Sequence, residues 1–325
     1  MKQILIAGKI ALTAIVLWLV LSHIDLDETR RNVTAFSFAG LFGVACILGI
    51  QQLIASQRLS LVMALLGQRL GFAAAVHVTL VGFFFGQTFL SFLGGDAARL
   101  WELNKRAIGL QSASSGVLLD RLSGLIANHI LILLMLPGTL QIVTEPVARL
   151  AVIAVAIAGL LGIVMLFALA LLRGRLGLER RITARLGEQR WITILFDLVS
   201  VLKAFFAAPG QAASVLALGV LVNLFNAMMI YVLFRDLDAG IGLTQCVALV
   251  PLIMELALVP ISIAGWGVRE GLMVAGFGMA GVTASAAFSV SVLFGLIAVV
   301  FGMVGGVMWL LHRPVDRRLT PDMEE

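Results

Sequence analysis

Asp96, Arg99, Asp120, Arg121, Glu255, Arg269 and Glu270 stand within or at the edge of long hydrophobic stretches. An ionisable side chain in the middle of a membrane helix costs roughly 2.5 to 3.5 kcal/mol on insertion scales, so each of these residues needs a partner or a task. Arginine brings a permanent charge and a fork of N–H donors matched to phosphate. Pro260, Gly265 and Gly267 interrupt one hydrophobic stretch. A helix restarting after such a break offers unpaired N–H groups and a positive dipole end, a setting that suits a phosphate or carboxylate. Arg99 and Arg269, with Ser262, Gly265 and Gly267 at the break and Asp96, Asp120, Arg121 and Glu270 around them, therefore form a candidate site for an anionic lipid head group. The competing reading is a buried ion-pair network that locks the architecture, with glycines that let helices pack closely.

Asp120 and Arg121 are neighbours on one predicted helix, where successive residues point about 100° apart and do not face each other. Each needs a partner from elsewhere, and Asp96 or Arg99 is nearest in sequence. Glu255 is a candidate proton relay or coupling-ion site; equally, it reads as a protonated acid bonded to backbone. His77 and His129 are isolated, as interhelical hydrogen-bond partners are, and no metal or other cofactor is expected. The sequence has no nucleotide-binding glycine loop, nucleophile motif or paired histidine cluster.

The elements that must position these residues repeat. Ser91-Phe-Leu-Gly94-Gly-Asp96-Ala-Ala-Arg99 is echoed by Ser262-Ile-Ala-Gly265-Trp-Gly267-Val-Arg269, and Gly-Leu-Ile-Ala recurs at 124–127 and 295–298. Polar, glycine-broken segments at corresponding positions of two halves point to a transporter-type site near the bilayer midplane.

Of the 325 residues 61% are hydrophobic and 13% charged, with mean hydropathy +1.07. Soluble domains carry about 45 to 50% apolar and about 25% charged residues, so this is an integral membrane protein. No polar block is long enough for a separate soluble catalytic module. The formal charge of +5 marks the loops of a membrane protein rather than nucleic-acid binding. Cys46 and Cys246 lie in hydrophobic stretches without metal-ligand or disulfide-scaffold spacing.

Segments long enough to span lie near 4–22, 38–57, 72–93, 115–136, 149–172, 211–234, 242–264 and 284–311. Eight full crossings would put basic loops on both sides. If the third and seventh segments enter and leave by one face, Lys2, Arg58, Arg69, Arg99, Lys105, Arg106, the arginines of 173–190 and those of 313–318 all become cytoplasmic. The sequence therefore predicts an all-α polytopic membrane protein of about six spanning helices plus two re-entrant hairpins in an inverted repeat, with eight crossings as the alternative. One transmembrane domain occupies 1–312, with repeat halves of about 38–136 and 211–311 and a short cytoplasmic tail at 313–325. The first segment reads as an uncleaved helix with a cytoplasmic N-terminus, and 191–208 as an interfacial or tilted helix.

Pro260-Ile-Ser262-Ile-Ala-Gly265-Trp-Gly267-Val-Arg269-Glu270 with Gly281-Val282, together with Gly94-Gly-Asp96-Ala-Ala-Arg99 and Leu119-Asp120-Arg121-Leu-x-Gly124, resembles the transmembrane domain of lysylphosphatidylglycerol synthase/flippase proteins. The resemblance runs from about residue 5 to 312. Bifunctional members add a cytosolic aminoacyl transferase domain, which makes the aminoacylated lipid; this sequence carries only the translocase-like portion, so synthase activity is not expected. The resemblance implies a bacterial inner-membrane flippase or scramblase acting on a phospholipid, hopanoid or polyprenyl-phosphate derivative, and no enzyme activity of its own. The rivals are a membrane enzyme modifying a lipid head group and a non-catalytic partner of a glycosyltransferase. A homo-oligomer or a lipid-modifying enzyme is an expected partner class.

Overall fold

The computed structural model describes residues 24–87, 91–176, 201–203, 205, 207–258 and 267–311. Regular structure among them is helical: α1 (Leu26–Ala35), α2 (Phe38–Leu65), α3 (Phe72–Gln87), α4 (Ser91–Lys105), α5 (Leu110–Ile142), α6 (Pro146–Leu176), α7 (Pro209–Asp236), α8 (Leu243–Ala257), α9 (Val268–Gly278) and α10 (Ala284–Leu311). Among the described residues five helices, α2, α5, α6, α7 and α10, are long and apolar enough to cross a bilayer. Their starts follow local rules. The Ser37 hydroxyl accepts from the Gly40 N–H at 2.9 Å to cap α2. Pro209 opens α7, where its missing N–H costs no helical bond. Asp25 caps α1 by accepting from Glu28 N–H at 3.0 Å and Asp27 N–H at 2.9 Å, and these bonds hold its carboxyl below the usual carboxylate range.

α3 and α8 are shorter, with 16 and 15 residues. At 1.5 Å per residue each reaches only about 24 Å, less than the roughly 30 Å hydrocarbon core. α3 turns back on itself through α4. His77 bonds Glu102, Gly82 packs on Gly95 and Arg99, and Gly86 meets Gly95, so the two helices are antiparallel neighbours. α8 and α9 pack in the same way, with Ile253 against Gly276. The third and seventh hydrophobic segments thus lie in paired short helices, the arrangement expected of re-entrant hairpins rather than of eight full crossings.

The repeat is inverted. α2 and α7 are the first long helices of the two halves, each of 28 residues, and they pack against one another. Ser37, near the start of α2, bonds Asp236 at the end of α7. Farther along, Gln51 Nε2 donates to the Val222 carbonyl and to Asn226 Oδ1, both at 2.8 Å. As one helix advances its equivalent retreats. Each hairpin then packs on the last helix of the opposite half: α3 on α10, and α8 on α5. At the first crossing a Cβ on Gly305 would run into the Leu80 carbonyl, so only glycine allows the backbones this close, and Phe83 meets Phe301 edge-on. At the second, Asn128 Nδ2 donates to the Pro251 carbonyl and Thr139 Oγ1 to that of Ala248, both at 3.0 Å.

The hairpins open to opposite ends. At one end the end of α2, the start of α3 and the start of α5 meet: Ser60 donates to the Leu70 carbonyl at 2.7 Å and Gln68 reaches Ser112. Val201, Leu202 and Phe205 are buried there with Val62, Leu119 and Val215. At the other end Glu28 accepts from Thr283 Oγ1 at 2.8 Å, beside Asp236 and Ser37. The first end holds Arg69, Lys105 and Arg106; the second holds mixed charge, Asp25 to Arg31 and Arg235 to Asp238.

Several boundaries differ from the sequence reading. α2 continues past residue 57 to Leu65, which makes Arg58 an internal helix residue rather than a loop charge. The reading ended the segment at its first cation, whereas the helix continues because that cation is paired inside the fold. The segments expected at 4–22 and most of 173–208, and the tail at 313–325, lie outside the described residues, apart from the end of α6 and parts of 201–208. A single cysteine placed at Gln111 and another at Gly240, in a background lacking Cys46 and Cys246, are expected to react with a membrane-impermeant maleimide from opposite faces of the membrane. Labelling of both from one face would contradict the inverted arrangement.

Candidate functional site

Asp120 lies in α5 with 1% of its side chain exposed, and two arginines converge on it from other helices. Arg58 of α2 donates Nε to Oδ1 at 2.8 Å, and Arg99 of α4 brings Nη1 to 2.9 Å from Oδ2. Arg121 turns instead to Asp96 of α4. The 100° between neighbouring side chains sends Asp120 and Arg121 to different partners, yet both ends of α4's polar face are held by α5. Two glycines clear the way. The Arg99 stem passes over Gly82, and the Arg58 guanidinium lies against Gly124, the first glycine of the repeated Gly-Leu-Ile-Ala. Among the described residues the cluster holds three arginines and two carboxylates, Arg58, Arg99 and Arg121 against Asp96 and Asp120, one positive charge in excess.

The second half has a related arrangement. Gly267, at φ 86°, caps α9, and its N–H donates to Glu270 Oε2 at 2.5 Å. The fully buried Glu270 folds back to the helix start, where Arg269 Nη2 reaches its Oε1 at 2.7 Å. These sequence neighbours do pair, unlike Asp120 and Arg121, because the Glu270 carboxylate folds back to the start of the helix, where its other oxygen meets Arg269. Ser291 of α10 donates to Glu270 Oε1 at 3.1 Å and accepts from Arg269 Nε at 3.2 Å. Ser291 stands 171 residues after Asp120, the same offset that relates Phe38 of α2 to Pro209 of α7. Each repeat therefore ties an arginine of its hairpin to the equivalent position of its last helix. In the first half that position is the acid; in the second the acid has moved onto the hairpin.

Glu255 belongs to a third cluster. It joins His129 Nδ1 at 3.0 Å and accepts from Asn128 Nδ2 at 2.9 Å, both on α5. His77 likewise links helices, through Glu102, which also takes Arg106 and Lys105. Ser262 and Gly265, with Pro260, lie outside the described residues. Sequence reasoning missed Arg58, Ser291, Asn128 and the His129–Glu255 pairing. Arg58 had a usable signal, an arginine flanked by Leu-Ile-Ala-Ser-Gln and Leu-Ser-Leu-Val-Met. Ser291 and Asn128 are ordinary membrane-helix residues until the fold supplies their partners, and His129 and Glu255, each singled out in the sequence, carry no signal of pairing with each other.

Residues 6–306 match the family described as the lysylphosphatidylglycerol synthase TM region. The chain belongs to this family. No curated protein matches the sequence. The match covers both halves of the repeat and both hairpins, so the paired-arginine arrangement lies within the family's shared region. Membership gives a multi-pass membrane protein of a lipid-related family.

Asp120→Asn is expected to destabilise the protein by about 3 to 5 kcal/mol in an SDS unfolding titration, because it leaves two partly buried arginines without their counter-charge. Adding Arg99→Met should recover part of that loss. Losses that simply add would show that the three residues do not act as a unit.

Proposed function

We propose that the protein translocates an anionic lipid or lipid-linked head group across the bacterial inner membrane, flipping or scrambling it without chemical change. The observation that carries this reading is the excess positive charge that the described residues gather around Asp120, with Arg58 on α2, Arg121 on α5 and Arg99 on the first hairpin, in the apolar part of the fold. A buried charge surplus is costly unless an anion shares the site, and a phosphate fits the arginine fork. The inverted repeat supports the same reading. Two halves of opposite orientation, each with a hairpin opening to its own face, can exchange conformations and so present one site to either side in turn. The family's name supports a lipid as the cargo, and phosphatidylglycerol derivatives, hopanoids and polyprenyl phosphates are the candidate classes.

In this reading Arg99 and Arg269 contact the phosphate at successive stages, drawing partly away from Asp120 and Glu270. Asp96 and Arg121 keep the first hairpin registered on α5. Ser262 and Gly265, read from the sequence as part of the same site, lie outside the described residues. The acyl or prenyl chain stays in the surrounding lipid, against the apolar outer faces of α6 and α10. The basic end of the molecule is the cytoplasmic one.

Purified protein reconstituted with the host's own lipid extract should make one anionic lipid class newly accessible to a membrane-impermeant head-group reagent. Arg99→Gln and Arg269→Ala should each slow that exposure at least about tenfold, the scale of about 1.4 kcal/mol in a binding or barrier term. Undiminished exposure with both variants would remove the arginines from the mechanism, and a lipid whose mass changes would replace translocation by head-group chemistry.

A further inference from the structure

The His129–Glu255 contact leaves a proton to be accounted for. His129 is 2% exposed and sits between two acceptors: its Nδ1 is 3.0 Å from the Glu255 carboxylate and its Nε2 is 3.0 Å from the Ala156 carbonyl of α6. A neutral imidazole has one N–H and one bare lone pair. With Nε2–H donated to Ala156, a bare Nδ1 would face a carboxylate oxygen, two acceptors in contact. The geometry is satisfied only when the pair holds one further proton, either on Nδ1 as imidazolium or on Glu255 as the acid. The remaining Glu255 oxygen already accepts from Asn128 Nδ2 at 2.9 Å.

We propose that His129 and Glu255 form a proton-binding site that latches the second hairpin to α5 and α6 when occupied and releases it when empty. Three features of placement support this. The pair joins α8 to the last helix of the opposite half, so it lies across a contact that must change if the halves exchange conformations. Glu255 is 21% exposed, against 2% for the ring, which gives the proton a way in and out while the imidazole stays packed. Gly159 backs the ring so closely that a Cβ there would overlap it, so the ring cannot swing toward α6 when it loses Glu255.

The surrounding elements bring little competing charge. α6 offers only the Ala156 carbonyl and the Gly159 backbone, and has no ionisable residue from Leu150 to Leu172. α7 has none from Pro209 to Ile230. α9 brings Arg269 and Glu270, which are bonded to each other. On α5 the nearest are Asp120 and Arg121, eight or nine residues before His129 and engaged by Arg58, Arg99 and Asp96. α8 has no ionisable side chain other than Glu255 and the Cys246 thiol, nine residues away. In the binding step a hydronium ion gives its proton to the Glu255 carboxylate or to Nδ1 and becomes water; in release a water molecule takes it back. No other reactant is needed.

The site stands on its own geometry; that its proton drives lipid movement rests on the translocation reading above. The test therefore reads the site and the cargo separately. Full-length protein in phosphatidylglycerol/phosphatidylcholine vesicles is titrated by difference infrared spectroscopy, with a spin-label pair reporting the α6–α8 separation. A carboxyl or imidazolium signal should change with pH, and the separation should widen over the same interval as the proton is lost. Glu255→Gln should abolish both changes and keep the helices close at every pH. Its amide can donate to bare Nδ1 while its oxygen accepts from Asn128, the bonding of the occupied latch. His129→Gln should alter the pH dependence of the Glu255 signal. A titration that persists in Glu255→Gln, or a separation indifferent to pH, overturns the latch. Lipid exposure is measured in parallel in vesicles of the host's own lipid extract: if no lipid moves there while both signals change with pH, the translocation reading fails and the proton site stands.

Discussion

One carboxylate, Asp120, sets the terms for the first half of the molecule. It is almost wholly withdrawn from solvent, and its two oxygens are taken by arginines on two different helices. A lone buried carboxylate would take up a proton or unfold the site around it, and a lone buried arginine has no comparable escape because it stays charged. Neither residue type is tolerable there without the other. Together they fix α2 and α4 relative to α5, and with α4 the hairpin that closes through α3. Gly82 and Gly124 follow from this requirement, since a side chain at either position would occupy the path of an arginine stem or head.

Two halves of the same chain have met the same requirement differently. The offset of 171 residues matches Asp120 with Ser291, and each bonds an arginine of its own hairpin. Where the first half binds two arginines to one acid, the second binds one arginine to an acid next to it in sequence. Among the described residues the first site has a surplus of positive charge and the second pairs one arginine with one acid. Such asymmetry inside a symmetric frame suits a device whose two halves take turns at one cargo, because binding and release then need not be equally strong on both sides. The crosswise packing of each hairpin on the opposite half couples the two repeats: neither hairpin can move without altering a helix of the other.

Much of this was legible in the sequence, and for identifiable reasons. Loop charge separates the two ends of the molecule, so a third and a seventh segment that both return to their starting face are the arrangement that keeps Arg69, Lys105 and Arg106 together. The repeated Ser-x-x-Gly and Gly-Leu-Ile-Ala patterns register the halves. Asp96 and Arg99 are near enough in sequence to be recognised as partners for Arg121 and Asp120. Arg58 escaped because a cation near the end of an apolar run looks like the edge of a helix, and only the folded chain shows the run continuing to Leu65. The His129–Glu255 pair escaped because its members are separated by 126 residues and share no motif.

Surplus charge around Asp120 should draw an anionic lipid to the protein in preference to a zwitterionic one. Native mass spectrometry of the full-length protein, released from detergent with equal amounts of phosphatidylglycerol and phosphatidylcholine, measures that preference directly. The unsubstituted protein should retain phosphatidylglycerol well above phosphatidylcholine, and Arg58→Met, which leaves two arginines against two carboxylates, should bring the two lipids to parity. Equal retention by the unsubstituted protein, or a preference for phosphatidylglycerol undiminished in Arg58→Met, would contradict it.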